Sequence, residues 1–142
     1  MRASDEKMTM IELTLPYPIS ANRYWKNCRG RMVVSKDAMK YKQTVRQIAM
    51  TAGVRSLISG RVAVIYTLYP HRPKDWEKRM KKDPMHWDDK VRCIDLDNAQ
   101  KIMFDALQGT VFDNDKNIRV IHACRGIPDA KGARVEIIIR PY

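Results

Sequence analysis

The 142-residue sequence predicts an α+β (mixed α/β) fold: a small mixed β-sheet of about four strands with two main helices, in the order β(β)αβαββ. Three observations lead there. "MTMIELTL", "NIRVIHAC" and "ARVEIIIR" alternate at period two, as strands with one buried face do. "RVAVIYTLY" is crowded with β-branched and aromatic residues, which suit a pleated surface. Two intervening segments carry helix start and stop residues.

In chain order, Met8 to Leu15 puts Ile11, Leu13 and Leu15 on one side of a strand that Pro16 and Pro18 end. A turn-rich basic segment follows, and "RMVVS" reads as a short strand. Ser35 suits the N-cap of a helix running to Gly53, with Tyr41, Val45, Ile48, Ala49 and Ala52 on one face and Lys36, Lys40, Lys42, Arg46 and Gln47 on the other. Arg61 to Tyr69 is the next clear strand. The stretch "HRPKDWEKRMKKDPMHWDDKVR", with Pro73, Pro84 and no apolar periodicity, reads as a long basic loop at about 70–94. Asp97 opens the second helix and Gly109 closes it, an acid at the N-terminus and a glycine just past the C-terminus. The last two strands are joined by a turn around Pro128, Asp129 and Gly132. Without repeats, low-complexity tracts or a linker, residues 1–142 read as a single domain.

The charge balance points to a partner. Twenty-seven Lys and Arg against 16 Asp and Glu give a net charge of +11, which favours a polyanion, nucleic acid before an anionic membrane surface. No apolar run approaches the roughly 18 residues needed to span a bilayer, and the N-terminus lacks a signal-peptide pattern, so no membrane role and an intracellular location are expected. Cys28, Cys93 and Cys124 are irregularly spaced, indicating neither a disulfide framework nor a zinc site. Nine basic residues and only Asp37 lie between Arg23 and Arg55. Tyr24, Trp25, Trp76 and Trp87 are interleaved with the basic stretches, which suits phosphate neutralisation beside base stacking. The alternative for each Trp is an anchor that ties its loop to the core.

Against this background the stretch "DLDNAQKIMFDALQGTVFDND" gathers five aspartates: Asp95, Asp97, Asp105, Asp113 and Asp115. In extended backbone Asp95 and Asp97 point to the same side, about 7 Å apart. Lys101 follows Asp97 by one helical turn, where its ammonium can meet a phosphate. Asp113 and Asp115 return with the same spacing. Hard oxygen ligands suit Mg²⁺ or Mn²⁺ rather than zinc. Each residue also has an ordinary role open to it: Asp97 as an N-cap, Lys101 paired with Asp97 or Asp105, Asp113 and Asp115 as turn formers. Together, a carboxylate set on a basic body is what a metal-dependent nuclease needs. The alternative is a non-catalytic basic DNA-binding module of phage or prophage origin.

The sequence resembles the RusA-type crossover junction endodeoxyribonucleases, small phage and prophage resolvases of Holliday junctions. The likeness rests on "LPYPISANRYW", "RMVVSKDAMKYKQTV", "DLDNAQKIMFDAL", and "NDKNI" leading into "KGARVEI", and it covers nearly the whole chain. The resemblance implies metal-binding aspartates at Asp95, Asp97 and Asp115, a catalytic lysine at Lys101, Mg²⁺ as cofactor, a homodimer, and a four-way DNA junction as substrate in a bacterial cytoplasm. Two departures stand out. Asp113 occupies a place where the family commonly has an apolar residue, so it competes with Asp115 as third ligand, and the 70–94 loop is longer than usual. Arg23, Trp25, Lys26, Arg29, Arg31, Lys36 and Lys40 are the expected DNA contacts. Paired nicks on a four-way junction require two sites related by a two-fold axis. A helix from Asp97 to Gln108 carries the chain about 16–18 Å, and Gly109 to Asp115 spans about 20 Å when extended. Return to Asp97 within one chain therefore leaves little slack, and Asp115 is expected to be supplied by a second copy.

Overall fold

In the computed structural model, which describes residues 10–142, a four-stranded mixed sheet carries helices on one face. The strands are β1 (Ile11–Pro16), β4 (Val62–Tyr69), β5 (Ile118–Arg125) and β6 (Arg134–Pro141), in the order β1-β6-β4-β5. A separate hairpin joins β2 (Trp25–Cys28) to β3 (Arg31–Val34). A one-turn helix, Ala21–Tyr24, leads into the hairpin, and three longer helices follow in turn: α1 (Lys36–Thr51), α2 (Trp76–Lys82) and α3 (Leu96–Leu107). The α+β class and the mixed four-stranded sheet agree with the sequence reading; Met8 and Thr9 of the expected first strand lie outside the described residues.

Side-chain alternation sets the layers. Val62, Val64, Tyr66 and Leu68 of β4 are buried against α1 and α3, as are Leu13 and Leu15 of β1 and Val135, Ile137 and Ile139 of β6. From the helices come Tyr41, Val45 and Ala49 of α1 and Ile102, Met103 and Leu107 of α3. The Tyr41 hydroxyl donates to the Pro16 carbonyl at 3.0 Å, tying α1 to the end of β1, and burial pushes this phenol well above its usual range. Ser35 caps α1 as expected, its hydroxyl accepting from Ala38 N at 3.1 Å. Ala52 is exposed at the C-cap rather than on the buried face, because the helix ends at Thr51.

The final two strands are not neighbours. β6 runs antiparallel to both β1 and β4, whereas β5 pairs parallel with β4 on its other side. A parallel pair needs a long crossover, and residues 70–117, with α2 and α3, provide it.

Within that crossover, the segment expected to be an irregular loop contains α2 and is packed down. Trp87 is buried, its ring 6.5 Å from that of Trp76, and the Arg72 guanidinium lies 4.3 Å over the Trp76 ring. Arg125 of β5 donates to the carbonyls of Asp88 (3.2 Å) and Val91 (2.7 Å). The two tryptophans pack on one another, and Trp76 on Arg72, within the segment, and neither belongs to the main core. The segment escaped detection as a helix because α2 buries no residue that would impose an apolar period.

Candidate carboxylate site and nucleic-acid interface

Helix α3 begins one residue earlier than expected. Asp95, not Asp97, holds the N-cap, with extended backbone (φ −63°, ψ 144°) and its carbonyl accepting from Ala99 N at 2.9 Å, while its carboxylate makes no capping bond. Asp97 lies in the first turn. At the other end Gln108 is the C-cap and Gly109 follows at φ 80°, the left-handed conformation that glycine adopts without a Cβ penalty.

The start of α3 is fixed from below and from behind. The Tyr66 hydroxyl lies 3.0 Å from Gln100 Oε1 and 3.2 Å from the Leu96 carbonyl. Burial, and secondly the negative charge of Asp97, push that phenol up to about 12. Just before the helix, Ile94 N donates to the Tyr17 hydroxyl at 2.6 Å. Tyr66, Gln100 and Tyr17 thus hold the backbone that presents Asp95 and Asp97. None was picked out from the sequence, and no local signal could have found them, since their partners are 30 to 77 residues away.

Asp95, Asp97 and Lys101 are all exposed, and among the described residues none has a hydrogen-bonded or ion-paired side-chain partner. The ordinary pairing open to Lys101 is not made: Asp105 instead meets Lys42 of α1, with Nζ and Oδ2 2.9 Å apart. That contact lacks hydrogen-bond geometry. Burial first, then the charge of Asp115, raises the Asp105 carboxyl above its usual range.

Asp115 thus acts on Asp105 through its charge. After Gly109 the chain buries Val111 and Phe112, with Ile58 N donating to the Val111 carbonyl at 2.7 Å. This anchor holds the returning chain near the C-terminal end of α3. Asn114 then caps a 3-10 turn, Asp115–Asn117, its side chain accepting from Lys116 N at 3.0 Å. Asp113 and Asp115 are both exposed, flanking Asn114. Among the described residues no three His, Cys, Asp or Glu side chains converge closely enough to hold a metal ion. One chain brings Asp95, Asp97 and Lys101 onto the start of α3, and Asp115 opens the 3-10 turn that follows the helix.

The expected DNA contacts gather on the β2–β3 hairpin and the start of α1. Trp25, Lys26, Arg29, Arg31, Lys36 and Lys40 are exposed. The hairpin turns through Arg29 (φ 52°) and Gly30 (φ 79°), the paired positive φ values of a type I′ turn. Strand register places Lys26 opposite Val33 and Cys28 opposite Arg31, so Lys26 and Arg31 share one face. Trp25 packs edge-on to the buried Tyr24 (5.0 Å between centroids, 71°) yet keeps 45% of its surface in solvent. Arg23 differs from the rest, being paired with Asp37 at 2.8 Å in an exposed ion pair. Ser35 secures the hairpin base, its amide donating to the Tyr24 carbonyl at 2.8 Å and its hydroxyl to that of Arg23.

This combination of exposed carboxylates on a rigid helix start and a projecting basic hairpin defines a class of DNA-processing protein. Comparison with known proteins makes the class specific. The family model of endodeoxyribonuclease RusA matches residues 16–140. Proteins named crossover junction endodeoxyribonuclease RusA are similar over 93% of this chain and 95% of their own length, with 33% identity for that of Escherichia coli K12 and 32% for that of Enterobacteria phage 82. The one from Escherichia coli O139:H28 (strain E24377A / ETEC) is 30% identical over the same shares. The chain belongs to the RusA endodeoxyribonuclease family, a family of nucleases. Among the described residues no helix is long and apolar enough to cross a membrane.

Proposed function

We propose that the protein is a homodimeric, Mg²⁺-dependent endodeoxyribonuclease that resolves four-way DNA junctions by paired symmetric nicks, acting in the cytoplasm of a bacterial host and encoded by phage or prophage. The supporting observation is that Asp95 and Asp97, in a chain of net charge +11, have no cationic partner among the described residues. Unneutralised carboxylates on a basic surface fit a hard divalent cation. The relatives' names and the phage 82 relative support the substrate and the origin.

Asp95, Asp97 and Asp115 would hold Mg²⁺, with Mn²⁺ as a substitute. When bound, the metal supplies Lewis-acid stabilisation of the charge that develops during phosphodiester hydrolysis. Lys101, one turn beyond Asp97, offsets negative charge on the scissile phosphate. Lys26, Arg29, Arg31, Lys36 and Lys40 hold the DNA backbone, with Arg23 freed from Asp37 as phosphate takes its place, and Trp25 offers its exposed ring to a base. No three carboxylates converge among the described residues of one chain, and the reading has a second copy supply Asp115, which makes dimerisation a condition of activity.

The test is incubation with a synthetic four-way junction, with and without Mg²⁺. Symmetric nicked duplexes that form only with Mg²⁺ are expected; junction binding without cutting under any divalent ion would leave a binding module instead. Mixing Asp97→Asn subunits with Asp115→Asn subunits addresses the shared site. The heterodimer should recover nicking at one centre, and no recovery would place Asp115 in its own chain's site.

A further inference from the structure

Beside the start of α3 the surface opens into a cleft of about 860 Å³. Its floor is largely apolar, from Tyr17, Pro18, Ile19, Val91 and Ile94, with Ala133 on a wall. Ser20, Pro73 and Cys93 complete the lining together with the basic residues Arg23, His71, Arg79, Lys90 and Arg92, and no carboxylate lines it. Of the cations, Arg23 is paired with Asp37 and Arg79 with Asp75, while Lys90 and Arg92 have no acidic partner among the described residues. The hydrogen bond from Ile94 N to the Tyr17 hydroxyl runs through the floor, and Ile94 is bonded directly to Asp95. Consecutive Cα atoms are about 3.8 Å apart, so the cleft adjoins the candidate carboxylate site. Arg23 connects its far side to the basic hairpin.

We propose that this cleft takes one unpaired nucleotide from the branch point of the DNA, its base on the floor of Tyr17, Ile19 and Ile94 and its flanking phosphates on Lys90 and Arg92. The proposal rests on the junction-cutting reading above and adds the element that tells a junction from linear duplex. An apolar floor with cationic lips matches an unstacked nucleotide in both polarity and charge. Extracting a base costs unpairing and unstacking energy, and that cost is lower at a branch point, where continuous stacking is interrupted, than within a duplex arm. Linear duplex would then meet only the phosphate-holding hairpin, and the junction both surfaces.

The test uses the full chain without divalent ions, so that nothing is cut, and junctions carrying 2-aminopurine at single positions. Fluorescence should rise at one or two branch-point positions and at none within the arms. Ala133→Trp and Ile19→Trp, which place a bulky ring at two separate lining positions of the cleft, should abolish the rise and weaken junction binding roughly 5- to 10-fold, the worth of one stacked base. Both should leave duplex binding unchanged, which also reports that the variants fold. A retained junction complex with no rise at any position overturns the proposal. So does a rise that survives both substitutions, or an equal loss of duplex and junction binding in both variants. Failure of the junction-cutting reading looks different: the unaltered protein would show no preference for the junction over duplex in gel retardation.

Discussion

Helix α3 and the β2–β3 hairpin both carry candidate functional side chains, yet α3 buries Ala99, Ile102, Met103, Phe104, Ala106 and Leu107 while all four residues of β2 are exposed. The hairpin hangs on its base, through Ser35 and the buried Tyr24, and has no core of its own. Under the proposed function, the difference follows from what each would do. Carboxylates that hold a metal and a lysine that meets a reacting phosphate need positions good to about 0.5 Å. Cations that hold a polyanion act through a slowly decaying Coulomb field and counterion release, so proximity suffices. Packing is concentrated where geometry matters.

The comparison can be broken at either end. The largest effect is expected from Asp97→Asn, which should reduce junction nicking by about 10²- to 10³-fold or more while gel retardation shows binding within a few-fold of normal. If binding falls as far as cutting, α3 is a holding surface like the hairpin. Next, Met103→Ala, at a fully buried position of α3, should lower stability in denaturant titrations by about 2–5 kcal/mol. A cost near zero would mean that α3 is not rigidly seated. On the hairpin, the combined Lys26→Ala, Arg29→Ala and Arg31→Ala variant should flatten the slope of log binding constant against log salt by about 2–3. Its stability should stay within about 0.5 kcal/mol, as for surface substitutions generally. Ser35→Ala removes the α1 cap and the hydroxyl's bond to the Arg23 carbonyl while keeping the amide's bond to Tyr24, and should cost about 1 kcal/mol in thermal or chemical unfolding.

The smallest effect lies outside both regions and calibrates them. Hydrogen bonds from Arg134 at 2.8 and 3.0 Å, together with the charge of that guanidinium, hold the Asp129 carboxyl at about 2, below its ordinary 3.8. A depressed carboxyl stabilises the fold above its unfolded value, and that contribution is lost as pH falls through the folded one. Asp129→Asn should therefore lower the unfolding midpoint at neutral pH and converge with the unaltered protein as pH drops from about 4 to about 2. A constant gap across that window would rule out the Arg134 contact as the cause.

What could be read from the sequence was whatever a local pattern encodes. Period-two alternation exposed β1, β5 and β6, β-branched and aromatic composition exposed β4, and Ser35 announced α1. Hairpin strand β2 was missed because "WKNC" buries nothing and so has no alternation to show, although Arg29 and Gly30 do mark its turn. The order of strands was out of reach, since nothing local says that β6 enters between β1 and β4. At the site, Asp95, Asp97 and Lys101 were legible through spacing, and the structure places them together on one helix start. The supports beneath them were not, because Tyr66 and Tyr17 act across the fold. The position of Asp115 was hidden for a related reason: it is set by where Val111 and Phe112 find burial, and a reach estimate sees only chain length.

The place of β6 has a consequence during synthesis. Both of its flanks are occupied, by β1 on one side and β4 on the other, so it is the strand on which the sheet closes, yet of the described strands it leaves the ribosome last. At translation rates of about 5–20 residues per second, β1 and β4 spend seconds with their pairing edges open and apolar faces uncovered. A chain stalled before Arg134 lacks the strand that joins β1 to β4, and its unpaired strand edges make it a candidate for aggregation.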